Sequence, residues 1–437
     1  MWKKAFAGAG AVSIVLCWPF ITGQIGERIY LDSIAKNKSP YLTITNEKYD
    51  RGYLSSNVIS KIVVKDEYKS LFEEDGLPTS WTLDHHIKHG FFHITSDSTV
   101  QLTDIERKKA DAIWGKDVQP VTLETETALN GNTEFTFTVN PIHYQSELGE
   151  KVDSKAFVLS GDMDVNGKGN FQYQLPQFDV TTVAKETMAL SGLKGGGDGQ
   201  FVDQFWIGSQ FFDLAAIKLA TAEDTQHIQA SDIKVTMSNV LSQPKNAVKP
   251  TEATEQVTNT NAVSVGQFVT LDGQKFTNFN FKMAFENLNY QAITELSKMT
   301  NPADGQLSQQ DVDAAAHALD VLVEQGVIFN LEDLSVKTEQ GDINSHMKLI
   351  VAPGLKNSSQ NIAAITKQLT GDLSLVAPKA LVDNNPDVAL QIKALKIMGV
   401  IEQKENTYDL SMKVEGDHLV LASGAKLPLS KLLIQFM

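Results

Sequence analysis

Histidines are concentrated in one short segment, where four of the nine fall between residues 85 and 93. Imidazole nitrogens are zinc ligands, and His85, His89 and His93 would share one face of a helix. The β-branched and aromatic residues around them, together with Gly90, favour a strand and a turn instead. On a strand, His85 and His89 lie on one face, and His93 lies beyond the break. We therefore treat these three residues as weak metal-site candidates and expect surface or cross-strand histidines.

Two other segments match ligand-binding loops only in part. Residues 162–167 match the first half of a calcium loop, but Tyr173 stands where a bidentate Glu is required. An Asx turn within a hairpin is the better interpretation. The glycines between residues 192 and 199 lack the Gly-Lys-Ser/Thr end of a phosphate loop, so we interpret them as a flexible connection.

Catalytic motifs are missing from the sequence. It contains no Gly-x-Ser-x-Gly elbow and no His-Glu-x-x-His, and its one cysteine, Cys17, lies in an apolar run. We expect no catalytic residues, no cofactor and no resident metal, which disfavours an enzyme of a familiar class. A metal-dependent hydrolase built on the His85–His93 segment remains a third hypothesis.

Net charge argues against one class of partner. The 437 residues carry a formal charge of −15 with no basic stripe, so nucleic acid is an unsuitable partner. The single cysteine also excludes an internal disulfide, and the fold must therefore be held by its core alone.

The N-terminal segment predicts a membrane anchor. Residues 5–26 carry no charge, and about 20 apolar residues cross a bilayer as a helix. Lys3 and Lys4 precede this run and stay on the cytoplasmic side by the positive-inside rule. No Ala-x-Ala site follows the run, which favours an uncleaved anchor over a cleaved signal peptide. We expect a single-pass inner-membrane protein, anchored by residues 1–28, with most of its chain in the periplasm.

Period-two patterns dominate the rest of the chain. Phe135, Phe137 and Val139 alternate with polar residues, and Phe279, Phe281, Met283 and Phe285 do the same. Such alternation predicts antiparallel sheet with one wet face. The expected fold class is α+β, mostly antiparallel β, with elongated curved sheets, a few packed helices and the N-terminal transmembrane helix.

Capping signals predict two helices late in the chain. Ser308 with Asp311 starts one near 308–325, and Asn385-Pro386 starts another near 386–398. Residues 242–261 contain almost no large apolar residue and are interpreted as a polar linker or long loop. The expected organisation is a β-rich region at 29–241, this linker, and a second β-rich region at 262–437.

Residues 49–56 and 89–92 form two motifs near the N-terminus, and Tyr408 to Val414, followed by Gly416 and Gly424, form a third near the C-terminus. Together these motifs resemble the YdgA-like family, exported proteins of Gram-negative bacteria with a domain of unknown function. The family's Tyr-x-Arg-Gly-[aromatic]-x-Ser-Ser signature matches residues 49–56, and His-Gly-Pro-Phe matches residues 89–92, with Phe91 in place of proline. The resemblance implies an inner-membrane-attached, periplasmic protein and supplies no catalytic residues. The motif positions, for which we expect a structural role, are Tyr49, Arg51, Gly52, Ser55, Ser56, His89, Gly90 and Phe92.

The expected function is that of a non-enzymatic envelope protein. An apolar sheet face that includes Phe279, Phe281, Met283 and Phe285 would bind lipid. The alternative is a scaffold that binds another envelope protein through the 242–261 loop or an edge strand.

Overall fold

The computed structural model describes residues 21–429, except 33, 36–38, 40, 75–77, 203–204, 223–226, 243–254 and 298–307. The chain divides into two compact units between Ala184 and Lys185. Antiparallel strands dominate both units and a few helices accompany them, as the alternating patterns predict.

The first unit begins as a meander, in which β1 to β6 each pair with the next strand. Its helices are α1 (residues 21–32), α2 (Asp66–Glu73) and α3 (Asp104–Trp114). Its strands are β1 (Leu42–Arg51), β2 (Ser55–Val64), β3 (Ser80–His89), β4 (His93–Val100), β5 (Val121–Ala128), β6 (Thr133–Val139), β7 (His143–Gln145), β8 (Lys151–Ser154), β9 (Phe157–Met163) and β10 (Lys168–Thr181).

Four of these strands form one long hairpin. β6 pairs with β9 and β7 pairs with β8 in one continuous register, and β8 and β9 together line one side of β10. Phe137 lies opposite Leu159, which lies opposite Tyr173, so the predicted alternation places these side chains on one face. The β9–β10 turn is the predicted Asx turn, because Asp164 Oδ1 accepts from the N–H groups of Asn166 and Lys168.

The second unit repeats the meander with longer strands. Its strands are β11 (Thr187–Val202), β12 (Phe205–Ala220), β13 (His227–Ser242), β14 (Gln256–Val269), β15 (Lys275–Asn289), β16 (Val327–Thr338), β17 (Gly341–Val351), β18 (Leu369–Pro378), β19 (Ile401–Gln403), β20 (Thr407–Glu415), β21 (His418–Leu421) and β22 (Lys426–Pro428). Its helices are α4 (Tyr290–Ser297), α5 (Gln309–Gln325), α6 (Ile362–Lys367), α7 (Lys379–Asp383) and α8 (Pro386–Ile397), with a short 3-10 helix at Ser358–Gln360.

Two β-bulges bracket the aromatic part of β15. The register of β15 shifts by one residue between Thr277 and Asn280, and again between Phe285 and Leu288. Asn278 and Asn287 lie at these shifts with φ of 51° and 63°. Asparagine tolerates this left-handed conformation better than most residues, which explains its use at both bulges.

The glycine-rich segment is a strand, so the prediction of a flexible connection is wrong. Residues 192–199 lie inside β11, and Gly195 to Gly199 each pair with a residue of β12. Glycine is required at the closest approach: a Cβ atom on Gly208 would lie 2.1 Å from Asp198 O, and one on Gly199 would lie 2.7 Å from the Trp206 ring. Local composition predicted flexibility, whereas the neighbouring strand imposes order.

Both capped helices are confirmed. Ser308 and Asp311 form a capping box at the start of α5, and Asn385 Oδ1 accepts from Val388 N at the start of α8. Helix α8 packs over the last strands, where Leu395, Met412, Val414 and Leu419 form a buried core. The core of the second unit thus lies at its last strands.

The predicted anchor and linker lie mostly outside the described residues. Residues 5–20 of the anchor are not among them, and in the described ranges no helix is both long and apolar enough to cross a membrane. Residues 243–254 of the linker are likewise outside, while residues 256–261 belong to β14.

Candidate functional site: the helix-binding face of the first unit

Tyr49, Arg51, Ser56 and His89 of the two motifs meet on one face of β1–β4. Val58 lies opposite His85, which lies opposite Ser98, and Ser56 lies opposite Ile87 in the next row. Residues two apart on a strand share a face, so Ser56, Val58, His85 and His89 point the same way. We call this surface, with Tyr49 of β1, the helix-binding face because α1 lies against it.

His89 joins the two motifs directly. Its Nε2 lies 2.8 Å from Ser56 Oγ, and its Nδ1 lies 3.1 Å from the Tyr53 carbonyl oxygen. A carbonyl only accepts, so Nδ1 donates to it, and in the neutral ring Nε2 accepts from the serine hydroxyl. His89 is 6% exposed and Ser56 is 1% exposed. The histidine of the second signature thus satisfies the serine of the first inside the protein.

His85 repeats the arrangement two rows further along the sheet. Its Nε2 lies 2.7 Å from Ser60 Oγ, and its Nδ1 lies 2.7 Å from Ser98 Oγ. Burial lowers the pKa of His85, and the negative charge of Asp84 opposes that shift only in part. The neutral imidazole is therefore favoured, with hydroxyl groups on both nitrogens.

Helix α1 approaches this face closely through two glycines. A Cβ atom on Gly23 would lie 2.4 Å from His89 Cε1, and one on Gly26 would lie 2.6 Å from Ile94 Cδ1. Any larger residue would push the helix away from the sheet. The three-residue spacing places both glycines on the same side of the helix.

Aromatic and ionic contacts extend this contact along α1. The Tyr30 ring lies 5.7 Å from that of Tyr49 and 5.9 Å from that of His85, between ring centroids. Burial raises the pKa of both tyrosines. Arg51 Nη1 lies 2.6 Å from Glu27 Oε2, which fixes the β1–β2 hairpin to the helix.

The two motif glycines, Gly52 and Gly90, let backbone atoms approach closely within their turns. Gly52 is not among the positive-φ glycines of the described residues. Instead Gly52 N donates to Ser55 O at 2.8 Å, and a Cβ atom there would lie 2.7 Å from that oxygen. Gly90 N likewise donates to His93 O at 3.0 Å, which confirms the predicted reversal at His89-Gly90.

The chemistry open to this cluster is limited by its burial. The pairing of Ser56 with His89 has the distances of a nucleophile and its base, but α1 covers the buried hydroxyl. Both ring nitrogens of His85 are engaged, and His93 lies beyond the turn, with Nδ1 3.7 Å from Glu126. In the described ranges no group of three or more His, Cys, Asp or Glu could hold a metal.

The helical half of this site was not predicted from the sequence. Gly23, Glu27 and Tyr30 contact motif residues and Gly26 contacts Ile94 beside them, although all four fall in or just after the run interpreted as an anchor. The signal was the Gly-x-x-Gly spacing followed by a charged and an aromatic residue on one helix face.

A second candidate surface is the apolar row of the second unit. Phe212, Val235, Val263, Phe281 and Leu334 lie opposite one another across five neighbouring strands. Each is half-buried. On the other face Ala284 is buried, and α4 and α5 contact β15. The alternation in β15 therefore separates the apolar row from a face that carries the buried Ala284.

A third feature is a cavity of about 590 Å³ beneath α3 in the first unit. Trp81, Leu102, Ile113 and Trp114 supply apolar walls, and Lys109 lies at its edge. The end of α3 is held by Trp114 Nε1, which donates to Asn140 O at 3.1 Å.

Comparison with known proteins identifies a family and no activity. The family model described as bacterial protein of unknown function (DUF945) matches residues 1–430. The chain therefore belongs to this bacterial family. No curated protein and no solved structure matches it.

Proposed function

We propose that this protein is a non-enzymatic envelope protein, anchored in the inner membrane, that binds the acyl chains of lipid on the apolar row of its second unit. The observation that carries the proposal is the row itself, with five half-buried apolar side chains in register across β12–β16. An apolar surface that spans several strands is unusual in a soluble protein without a ligand or partner.

The length of the apolar row and its polar border suit an acyl chain. Neighbouring strands lie about 4.8 Å apart, so five in-register residues span roughly 19 Å, comparable with a lipid tail. On the same face Asn261 lies in the adjacent row, and in the row beyond it Asn259 Nδ2 donates to Asn239 Oδ1 at 2.7 Å, which gives this side a polar character. Lipid binding requires mainly apolar area with a few polar groups to set orientation.

The N-terminal segment supports the proposed attachment to the inner membrane. Residues 5–26 are free of charge and follow two lysines, a pattern typical of a membrane anchor whose remaining chain lies outside the cytoplasm. In the described residues, α1 continues from this segment onto the helix-binding face. A membrane-attached sheet with an apolar row is suited to contact lipid rather than to turn over a substrate.

Photo-crosslinking of the full chain in living bacteria tests the lipid proposal. A photoreactive amino acid at Phe281 should give phospholipid adducts detectable by mass spectrometry. The matched control is the adjacent Lys282, which points to the opposite face and pairs with Glu332. We expect lipid adducts at position 281 and none at 282.

Two results would contradict the proposal. Equal lipid recovery from both positions would show contact without selection of the apolar face. One dominant protein adduct at 281, with no lipid, would favour the scaffold that binds another envelope protein.

A further inference from the structure

Four large apolar residues are exposed at two turns of the first unit. Tyr53 and Leu54, in the β1–β2 turn, are 47% and 61% exposed, and Phe91 and Phe92, in the β3–β4 turn, are 47% and 74% exposed. We call these four residues the apolar tip. Single exposed apolar residues are ordinary on proteins, but a contiguous group indicates an interaction surface.

The two turns are held beside each other by the sheet. β2 pairs with β3 from Ser55 opposite Lys88, and His89 N donates to Leu54 O at 2.8 Å. The turns are also tight, because Gly52 N and Gly90 N donate back across them. The apolar tip is therefore a preformed surface, presented without the cost of ordering a loose loop.

Helix α1 begins at this same end of the sheet. Gly23 contacts His89, the last residue of β3, whereas Tyr30 contacts His85, four residues back along that strand. The helix therefore runs away from the apolar tip, and Ile21, 41% exposed, lies at the tip end. The 20 residues that precede α1 include most of the charge-free run, so the chain passes from that run to the sheet beside the tip.

We propose that the apolar tip inserts into the interfacial layer of the membrane that holds the N-terminal segment. Tyrosine and phenylalanine suit the headgroup–acyl boundary, where apolar rings bury about 5–10 Å below the surface. Insertion would add a second attachment beside the anchor and fix the orientation of the helix-binding face relative to the bilayer. The inference rests on the anchor of the proposed function and is independent of lipid binding at the apolar row.

The opposite end of the sheet supplies a matched control. Leu148, in the β7–β8 turn, is 73% exposed, as much as Phe92, yet belongs to a turn with no second large apolar residue. Exposure is nearly equal at the two positions, whereas their place in the sheet and the presence of an apolar neighbour differ. A membrane contact made by the apolar tip should therefore distinguish them.

The test uses full-length protein reconstituted into phosphatidylethanolamine–phosphatidylglycerol vesicles, in a Cys17→Ser background that leaves no native thiol. An environment-sensitive fluorophore is attached to Phe92→Cys, Leu54→Cys or Leu148→Cys, and spin-labelled lipid is added as quencher. We expect roughly threefold or greater quenching, with a blue-shifted emission, at 92 and 54 relative to 148.

Two outcomes separate the tip from the anchor. Protein that floats with the vesicles but shows the same weak quenching at all three positions overturns insertion of the tip and leaves the anchor standing. Protein that does not float overturns the anchor and the insertion together. Circular dichroism of each labelled variant confirms that the sheet is intact before quenching is compared.

Discussion

Both units are built mainly as antiparallel meanders, yet the side chains on their candidate surfaces are polar in the first unit and apolar in the second. On the helix-binding face of the first unit, serine and histidine side chains are buried and hydrogen-bonded beneath α1. On the apolar row of the second unit, aromatic and aliphatic side chains are half-buried. Buried polar groups need partners in fixed positions, whereas apolar groups need only be shielded from water. The first face therefore requires a close fit to one helix, whereas the lipid proposed for the second need only shield apolar side chains from water.

The largest effect should follow from a side chain at Gly23. Gly23→Leu would place atoms where His89 lies, 2.4 Å from the position of a Cβ atom, and displace α1. We expect a loss of roughly 3 kcal/mol or more in the stability of the first unit. Hydrogen-exchange mass spectrometry should show faster exchange in β1–β4 and unchanged exchange in β12–β16.

Gln24→Leu is the control for that experiment. It adds the same side chain one residue later, at an exposed position of α1. If both variants lose protection of β1–β4 equally, then helix propensity, and not close approach to His89, governs the contact between α1 and the sheet.

Removal of the His89 ring should have the next largest effect. His89→Ala leaves the buried Ser56 hydroxyl and the Tyr53 carbonyl without their partner, at a cost of about 2–3 kcal/mol. Chemical denaturation measures the loss in unfolding free energy, and hydrogen exchange at β2 and β3 shows where the loss occurs. His86→Ala, on the opposite face of the same strand, should be nearly neutral; a similar cost there would contradict the role assigned to the buried pair.

Acidification should lower the stability of the first unit by a smaller amount. Burial lowers the pKa of His85 below its ordinary value of 6.5, so the unfolded chain binds a proton at a pH where the folded unit resists it. The stability that neutral His85 contributes to the first unit should be fully present above about pH 6.5 and fall as the pH drops below that value. Exchange rates in β2–β4 compared at pH 7.5 and 5.5 test this, and His85→Gln should remove the His85-dependent part of the change.

The smallest effect should come from the ion pair at the edge of the helix-binding face. Arg51 and Glu27 are each partly exposed, so Arg51→Ala should cost only about 0.5–1 kcal/mol. Lys48→Ala, which removes a more exposed pair with Asp50, should cost less. Salt titration of unfolding free energy distinguishes them, because added salt should erase most of the difference.

Local rules in the sequence were sufficient for several elements. The alternation at Phe135–Val139 and at Phe279–Phe285 predicted β6 and β15, since side chains on a strand repeat every two residues. Ser308 and Asn385 predicted the starts of α5 and α8, because a cap contacts backbone groups within three residues. For the site, the sequence also placed His85 and His89 on one face of a strand.

What the sequence could not supply were the contacts between distant segments. His89 meets Ser56 across 33 residues, and Gly23 meets His89 across a longer separation still. The glycines of residues 192–199 look flexible by composition and become ordered only because β12 lies alongside them. Sequence periodicity thus determined which face of each strand is apolar. Tertiary pairing alone decided which face α1 would cover, because that choice depends on the close fit of two glycines against a histidine and an isoleucine.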